Sequence, residues 1–296
     1  MIKNFFDKHN IEYKEKASLK NYNTYKIDAI SDYIVFPKNE EELIIILKEL
    51  KNNEIRYLIL GNGSNVIFSK PNFNGVIIKL DNFNMVEYND TLVQAGAGYP
   101  LIKLAMETIE KGLSGLEFAA GIPGCVGAST AMNAGAYNSD MASVIKSVKV
   151  LTPNFDIKTL DNNELEFSYR DSFLKRNNDY VVLSTTFKLS LGDPETMKNQ
   201  VTERRIKRYA SQPLNMPSAG SVFRNPENMY AGELIEKLNL KGCRVGAAEV
   251  SQKHANFIVN VGNATGNDII ELIKIIKKEV KSKYDVDLKL EQIIIE

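Results

Sequence analysis

A glycine loop set between two extended segments limits the folds that this chain can adopt. Arg56 to Leu60 predict a β-strand that runs directly into the loop, and the chain resumes as a strand at Val66-Ile67-Phe68. The loop has the sequence Gly61-Asn62-Gly63-Ser64-Asn65. A dinucleotide fingerprint requires a third glycine or alanine followed by a helix, but this chain has Val66 and another strand. The sequence therefore excludes a Rossmann fold for this segment.

The loop itself is open to two interpretations. Two glycines flanking Asn62 allow successive backbone N–H groups to converge into a nest that can hold a pyrophosphate. A plain β-turn explains the same residues, because Asn-Gly and Gly-Ser turns are common. Taken alone, the loop favours the turn.

A second segment, from Ala119 to Tyr137, is richer in glycine and alanine than the rest of the chain. Few side chains protrude from such a segment, so a large or flat ligand can approach its backbone closely. The alternative is tight packing of a buried loop, although larger aliphatic side chains would ordinarily fill that gap. Together the two segments predict a dinucleotide or flavin lying across two subdomains.

Composition narrows the class of protein. The 296 residues are 44% hydrophobic and 25% charged, which is typical of a folded chain of about two domains. Lys+Arg and Asp+Glu both number 37, so the basic excess typical of nucleic-acid binders is missing. Two isolated cysteines and two histidines provide no zinc motif and no Ser/His/Asp triad, so no metal site is predicted.

Neither a signal peptide nor a membrane span is predicted. The residues from Met1 to Lys16 carry charges throughout, and the longest aliphatic run, Leu43 to Leu47, is too short to cross a bilayer. We therefore expect a soluble cytoplasmic protein that contacts neither membrane nor nucleic acid.

Strand and helix patterns alternate along the chain without a regular βαβ rhythm, which predicts α+β layers. Apolar residues at helical spacing predict a helix around Leu43 to Leu50 and a closing helix from Ile269 to Val280. Val286 to Ile295 alternate loosely and predict a terminal strand. Three units are expected: 1–80, 81–210 and 211–296.

Several segments together resemble the UDP-N-acetylenolpyruvoylglucosamine reductase family, over roughly residue 20 to the end of the sequence. The segments that carry this resemblance are Leu60 to Asn65, Ala120 to Gly127, Met132 to Tyr137, Ser168 to Ser172, Gln212 to Phe223, Lys241-Gly242, Val250 to Ile258, and Leu288 with Glu291. They are long, occur in the family's order and are spread over all three expected units.

The resemblance implies a two-part FAD-binding domain of the vanillyl-alcohol-oxidase type, followed by an α+β substrate-binding domain. It implies two half-reactions, in which NADPH reduces FAD and the flavin then passes hydride to an enolpyruvyl sugar nucleotide. No histidine lies between His9 and His254, so we expect the FAD to be noncovalent. The residues implied to hold FAD are Gly61, Asn62, Gly63, Ser64, Asn65, Ala120, Gly121, Ile122, Pro123, Gly124, Gly127, Asn133, Gly135 and Ala136.

Three residues match the family's catalytic positions. Ser221 matches the proton donor, and as a sequence feature alone it would be interpreted as a turn residue. Arg170 matches the group that forks onto the substrate carboxylate, the alternative being a surface ion pair with Asp171. Glu291 matches a group that stabilises or protonates the intermediate, the alternative being a solvent-exposed carboxylate.

The predicted substrate-binding residues are Arg204, Arg224, Asn225 and Gln252. Arg224 and Asn225 resemble the family's Lys-Asn pair that contacts the substrate, whereas Arg204 belongs to a basic cluster that suits a diphosphate-bearing substrate. For Arg204, a solvated helix face is the alternative. The chain departs from the family pattern at Cys125, usually Thr; Asn138, commonly Gly; Arg224, usually Lys; and Gln292, often Val. The short separation of Arg170 from Ser221 is typical of the subgroup that lacks a tyrosine-bearing loop over the substrate.

Two rival functions remain open at this stage. An FAD oxidase of the same fold class would share the flavin loops but would not need the matches at Arg170, Ser221 and Glu291. A flavin or nucleotide-sugar binding module that has lost catalysis would not retain all three. The sequence predicts a small nucleotide-sugar substrate and no protein partner.

Overall fold

The computed structural model describes residues 2–296, which form two compact units that are each discontinuous in sequence. Unit 1 contains the residues up to Lys14, then Tyr33–Gly61 and Gly75–Arg205. Unit 2 contains Glu15–Asp32, Asn62–Asn74 and Ile206–Glu296. The glycine loop is thus divided after Gly61. The three-unit division at 1–80, 81–210 and 211–296 stays a prediction.

Helices and strands of both units follow one another along the chain in mixed order. The α-helices are α1 (Ile2–Lys8), α2 (Glu40–Asn52), α3 (Leu101–Glu110), α4 (Val126–Ala131), α5 (Phe173–Arg176), α6 (Pro194–Ser211), α7 (Ala231–Lys237) and α8 (Gly266–Tyr284). Short 3-10 helices occupy Lys20–Tyr22, Glu117–Gly121, Met141–Ser143 and Asn162–Leu165. The strands are β1 (Tyr13–Ser18), β2 (Ile30–Val35), β3 (Tyr57–Ile59), β4 (Val66–Phe68), β5 (Asn72–Ile78), β6 (Val86–Asn89), β7 (Leu92–Gly96), β8 (Leu113–Ser114), β9 (Gly135–Ala136), β10 (Ser139–Asp140), β11 (Ile145–Leu151), β12 (Ile157–Asp161), β13 (Val181–Lys188), β14 (Ser190–Leu191), β15 (Arg244–Val245), β16 (Ala248–Val250), β17 (Ile258–Asn260) and β18 (Ile293–Ile295).

Unit 1 is built on an antiparallel sheet with the strand order β12-β11-β13-β7-β6. The central strand β13 is buried along most of its length, whereas the edge strand β12 is mostly exposed. The short helix α4 packs on β13 and β7. Its small residues permit this close approach, since the N–H of Gly127 donates to the carbonyl of Ala97 at 2.8 Å.

Helix α2 shows how the sequence pattern produces a packed element in unit 1. The side chain of Asn39 accepts a hydrogen bond from the N–H of Glu42 and caps the helix, and acidic residues in the first turn complement the helix dipole. The buried face consists of Leu43, Ile46, Leu47 and Leu50, as the 3.6-residue spacing predicts. This face belongs to the same core as Val76 and Ile78 of β5.

Unit 2 combines a three-stranded antiparallel sheet, β15-β16-β17, with a parallel pair of β4 and β18. Helix α8 packs on β15, β16 and β4. It begins at a capping box in which the Thr265 side chain accepts from the N–H of Asp268 and the Asp268 side chain accepts from the N–H of Thr265. Its buried face contains Ile269, Leu272, Ile273, Ile276 and Val280, which confirms the predicted closing helix.

The α+β prediction is confirmed, and so is the strand that follows the glycine loop. Two elements differ from the sequence-based expectation. The small-residue segment contains α4, because glycine, alanine and serine form a helix without an apolar 3.6-residue pattern. The terminal strand covers only Ile293–Ile295, and before it Leu290 makes a single bridge with Phe223.

Candidate functional site

In unit 1, the start of the glycine loop is fixed by a buried lysine and by the segment that leads into α4. The ammonium group of Lys79 donates to the carbonyl of Gly61 at 2.6 Å and lies 3.3 Å from the carboxylate of Asp81. A methyl group placed on Gly61 would lie 2.9 Å from both Cys125 Sγ and Ala128 Cβ. Unit 1 therefore brings the first residue of the loop against the small-residue segment.

In unit 2, Gly63 has a left-handed φ of 63°. A Cβ atom there would lie 2.1 Å from the carbonyl oxygen of Tyr22, so any other residue would displace the loop. The N–H groups of Gly63 and Ser64 and the Ser64 hydroxyl have no acceptor among residues 2–296, although Gly63 is buried. Buried donors without a protein partner fit a bound anion such as the diphosphate of FAD.

The end of the same loop meets the chain around Glu291 within unit 2. The Asn65 amide donates to the main-chain carbonyl of Glu291 at 3.1 Å, and the N–H of Ile293 donates to the carbonyl of Asn65 at 2.9 Å. The N–H of Glu291 in turn donates to the carbonyl of Val222 at 2.9 Å. The loop, Glu291 and the residue after Ser221 are thus joined by main-chain hydrogen bonds.

The small-residue segment of unit 1 is folded tightly by its own backbone. Ala120 and Gly121 end a 3-10 helix, and the N–H of Gly124 donates to the carbonyl of Ile122 at 2.8 Å across Pro123. This short turn leads into Cys125, the residue before α4. The proposed cofactor residues Ala120 to Gly127 therefore form one continuous turn and helix start.

Asn133, Gly135 and Ala136 occupy the far end of the same segment. The buried Asn133 side chain donates to the Asp140 carboxylate at 3.1 Å and to the carbonyl of Ser168 at 2.8 Å, and accepts from the N–H of Ala142. The Asn133 amide thus makes its hydrogen bonds with other groups of the protein. Gly135 and Ala136 form β9, whose connection to β10 has positive φ at Tyr137 and Asn138. Asn138 suits that conformation, which explains why it can replace a glycine.

Arg170 lies in unit 1 beside this hairpin. Its guanidinium donates to the carbonyl of Gly135 at 2.6 Å, and its backbone has a left-handed φ of 57°. The neighbouring carboxylate of Asp171 is bound by Arg176 Nη1 at 2.5 Å. Arg170 therefore contacts Gly135, one of the proposed flavin-binding residues. The ion-pair partner of Asp171 is Arg176.

Ser221 is half-buried in unit 2 and forms a single β-bridge with Phe257. Its hydroxyl makes no hydrogen bond within the described residues 2–296, so it is available to a ligand. Asn256 supports the strand segment that follows: its carbonyl accepts from the N–H of Val222, and its amide makes two hydrogen bonds with the main chain of Phe223. The backbone around Ser221 is thus held by buried groups.

The proposed substrate residues of unit 2 differ in how far the protein already uses them. Arg224 has a buried Nε atom with no hydrogen-bond partner among residues 2–296, which fits contact with an acceptor on a ligand. The Asn225 side chain accepts from the N–H of Ala231 at the start of α7. Gln252 is exposed and lies over Gly242.

Arg204 lies in unit 1, where its guanidinium stacks over the Tyr137 ring at 4.6 Å. The Tyr137 hydroxyl also donates to the Arg204 carbonyl at 3.2 Å. Arg204 lines a cavity of about 450 Å³ together with Glu117, Ser139 and Asp193. Its role in binding substrate stays a prediction.

Two buried polar residues near the loop carry no role in the sequence analysis. Lys79 is 4% exposed, and its signal is a single charged residue within the aliphatic run Val76 to Leu80. Burial raises the pKa of the Cys125 thiol, and the Ala128 N–H and Lys79 lower it in part. Lys79 and Cys125 therefore both lie next to Gly61, a placement that no local motif predicts.

His254 is a hydrogen-bonding residue within unit 2. Its Nδ1 accepts from the N–H of Asn256 at 3.2 Å, and its ring contacts Phe257 edge to face. Burial lowers its pKa below the usual 6.5, Lys241 lowers it further, and Glu236 opposes the shift. Because Nδ1 accepts a hydrogen bond, the folded protein favours the neutral ring.

We expect this histidine to reduce stability in mild acid. As the pH falls below 6.5, the unfolded chain takes up a proton that the folded chain resists, so the free energy of unfolding decreases until the lower folded pKa is reached. The wild type should therefore lose more stability than His254→Asn between pH 7.5 and pH ~5, measured by urea unfolding with circular dichroism. Parallel pH dependences would contradict this assignment.

The fold and the loops define an FAD-dependent oxidoreductase: residues 31–161 match the family model described as an FAD binding domain. Residues 212–295 match the model described as the C-terminal domain of UDP-N-acetylenolpyruvoylglucosamine reductase. The chain belongs to the UDP-N-acetylenolpyruvoylglucosamine reductase family.

Relatives support this family over nearly the whole chain. A protein of this name from Clostridium tetani is 42% identical over 282 residues, which are 95% of this chain and 92% of the relative. One from Bacillus pumilus is 39% identical and covers 95% of this chain and 93% of the relative. The crystal structure of the enzyme from Thermus caldophilus superposes with a TM-score of 0.81 at 32% identity, over 97% of this chain and 99% of that one.

Among residues 2–296, none of the helices has both the length and the apolar character needed to cross a membrane.

Proposed function

We propose that this chain reduces the enolpyruvyl group of UDP-N-acetylglucosamine enolpyruvate to give UDP-N-acetylmuramate, a precursor of peptidoglycan, with NADPH as reductant and FAD as cofactor. The observation that carries this proposal is the junction in unit 2, where Asn65 of the flavin loop, Glu291 and the backbone after Ser221 share hydrogen bonds. Two candidate proton-handling groups and the glycine loop from Asn62 onward are thus built into one unit.

The overall reaction converts one carbon–carbon double bond to a single bond. A bound FAD would supply hydride transfer from NADPH to the methylene carbon of the enolpyruvyl group. The adjacent α-carbon, which then carries the electron pair, must receive a proton on one face. NADPH leaves as NADP⁺, and a proton from solvent replaces the one given to the α-carbon, so the electrons and protons balance.

Ser221 is proposed to supply that proton. Its hydroxyl makes no hydrogen bond within residues 2–296, and its backbone is held by Asn256 and by the main chain of Glu291. A serine hydroxyl is a weak acid, but an enolate carbon is basic enough to take its proton when the geometry is fixed.

Arg170 and Glu291 are proposed to handle the charge that develops on the substrate. A guanidinium binds a carboxylate through two parallel hydrogen bonds, and the substrate carboxylate carries the enolate charge in the transition state. Glu291 is proposed to stabilise or protonate the intermediate.

The cofactor residues proposed from the sequence fit FAD in their chemistry. The unsatisfied donors of Gly63 and Ser64 would hold phosphate oxygens, and the Gly135–Ala136 hairpin and the turn at Pro123 are proposed to contribute further to FAD binding. Arg204, Arg224, Asn225 and Gln252 are proposed to bind the nucleotide sugar. We further propose a cytoplasmic location, where NADPH is the common reductant, and a function that needs no protein partner.

The test is NADPH consumption that depends on the enolpyruvyl sugar nucleotide. Purified protein with FAD should oxidise NADPH rapidly only when that substrate is present. Oxygen consumption with an alcohol or a simple sugar as electron donor, in the absence of NADPH, would instead support the rival flavin oxidase. Flavin binding without either activity would support a binding module.

The FAD should be noncovalent, because no histidine lies between His9 and His254 to tether it. The other candidate, Cys125, is buried with a raised thiol pKa and is therefore a poor nucleophile. Acid precipitation should release all yellow colour into the supernatant. Colour retained in the pellet, and its loss in a Cys125→Ser variant, would show a covalent bond to that thiol.

A further inference from the structure

Gln292 follows Glu291 directly, and its side chain reaches the turn that precedes Ser221. It is 3% exposed. Its amide nitrogen donates to the carbonyl of Ala219 at 3.0 Å and to the carbonyl of Gly220 at 3.2 Å. Its amide oxygen accepts from the Tyr25 hydroxyl at 3.0 Å. One buried side chain thus binds two consecutive carbonyls beside Ser221.

The partners fix the orientation of the Gln292 amide. Backbone carbonyls only accept hydrogen bonds, so the NH₂ group must face Ala219 and Gly220. The oxygen then faces Tyr25, which is fully buried and must donate its proton. Burial raises the pKa of Tyr25, and the hydrogen bond to Gln292 opposes this in part, so the phenol keeps its proton at neutral pH.

Gly220, whose carbonyl Gln292 binds, has open space on the side where a Cβ would stand. Gly220 adopts a left-handed φ of 74°, and no atom outside its chain neighbours lies within 4 Å of where a Cβ would stand. On the other side of Ser221, the carbonyl of Val222 accepts from the N–H of Glu291. Ser221 is therefore held from both sides by the consecutive residues Glu291 and Gln292.

We propose that Gln292 is a positioning residue for proton delivery, which holds the Ala219–Gly220 turn so that the Ser221 hydroxyl is aimed at the substrate carbon. This proposal rests on the proposed function and deepens it. Gln292 itself touches neither substrate nor cofactor; it acts through Ser221. The alternative is that Gln292 only satisfies the buried phenol of Tyr25 and stabilises unit 2.

Three variants separate these roles: Gln292→Leu, Tyr25→Phe and the double variant. Gln292→Leu removes the amide and leaves the Tyr25 hydroxyl buried without its acceptor, so both stability and positioning should suffer. Tyr25→Phe is the matched control, because it breaks the same buried pair and keeps the bonds to Ala219 and Gly220. The double variant removes both polar partners and should therefore melt at a higher temperature than Gln292→Leu alone.

The readout is anaerobic stopped-flow absorbance of the bound flavin in each half-reaction. We expect Gln292→Leu to reoxidise with the enolpyruvyl substrate roughly tenfold to a hundredfold more slowly, since small misplacements of reacting groups have effects of this size. Reduction by NADPH should stay within about twofold of wild type. Tyr25→Phe should lose no more than about threefold in reoxidation, and the double variant should remain as slow as Gln292→Leu despite its higher melting temperature.

A double-mutant cycle of Gln292→Leu with Ser221→Ala tests whether Gln292 affects the reoxidation rate through Ser221. In a Ser221→Ala background, Gln292→Leu should slow reoxidation by less than about twofold further, because the group it positions is gone. The positioning role would be overturned if the rate losses of Gln292→Leu and Ser221→Ala were additive, or if Gln292→Leu were reoxidised at the wild-type rate. It would also be overturned if the double variant of Gln292 and Tyr25 recovered the reoxidation rate together with its stability. A wild-type flavin that NADPH reduces and the substrate never reoxidises would instead refute the proposed function, and the role of Gln292 with it.

Discussion

Ser221→Ala should be reduced by NADPH at nearly the normal rate and reoxidised by the enolpyruvyl substrate roughly 10² to 10⁴ times more slowly, the usual contribution of a positioned general acid. The reason is that no proton reaches the sugar nucleotide while NADPH reduces the flavin. The hydroxyl makes no hydrogen bond within residues 2–296, so its removal should leave the fold intact. Stopped-flow absorbance at the flavin band measures both half-reactions separately.

Ser211→Ala provides the control for this experiment. Ser211 is an exposed serine in unit 2 whose hydroxyl donates to the carbonyl of Lys207 one helical turn earlier. Its loss should change neither half-reaction. Undiminished anaerobic reoxidation of Ser221→Ala would falsify the proton-donor assignment, and equal losses in both half-reactions would point to a general structural defect.

Arg170→Ala should lower kcat/KM by roughly 10² to 10³, because the substrate carboxylate would lose the cation proposed to stabilise its developing charge. Arg170→Lys keeps the charge without the planar fork and should recover only part of that loss. Residue 170 has a left-handed backbone, so the alanine and lysine variants share the same backbone strain. Their difference therefore reports the side chain alone.

Arg176→Ala is the matched control for Arg170→Ala, because it removes an arginine of the same segment that makes ion pairs and has no proposed role in catalysis. Arg176 is the partner of Asp171 and also contacts Glu166, and both pairs are partly exposed. Its loss should have little effect on kcat/KM, since exposed pairs contribute about 0 to 1 kcal/mol.

Flavin content must be measured for each Arg170 variant, because Arg170 also donates to Gly135. A wild-type kcat/KM in Arg170→Lys would contradict the proposed bidentate contact between Arg170 and the substrate carboxylate.

The regular elements were predictable where one face is apolar and the other polar. The buried faces of α2 and α8 contain the residues that the helical spacing selects. Helix α4 was not predictable, since the sequence Val126–Ala131 has small residues on every face. The segment before β18 alternates without forming a ladder, because Leu288 is buried and Leu290 makes a single bridge rather than continuous pairing.

The site was predictable as motifs but not as a set of contacts. Resemblance selects Asn65, Ser221 and Glu291, yet their junction depends on hydrogen bonds between residues as far as 226 positions apart. Local patterns carry no information on such pairs. The supporting residues Lys79 and Tyr25 were missed for the same reason: each is a buried polar group whose partner lies in another element.

The parallel pairing of β4 with β18 has a consequence for biosynthesis. Val66 pairs with Ile293, so strand β4, which follows the glycine loop, gains its neighbouring strand only after Ile293 has emerged from the ribosome. Strand β4 therefore remains without this partner while the intervening chain is translated. Non-local strand pairing of this kind forms slowly and leaves hydrophobic surface exposed to chaperones in the meantime. We therefore expect the conformation of this loop that is proposed to bind FAD to form only once Ile293 is available to pair with Val66.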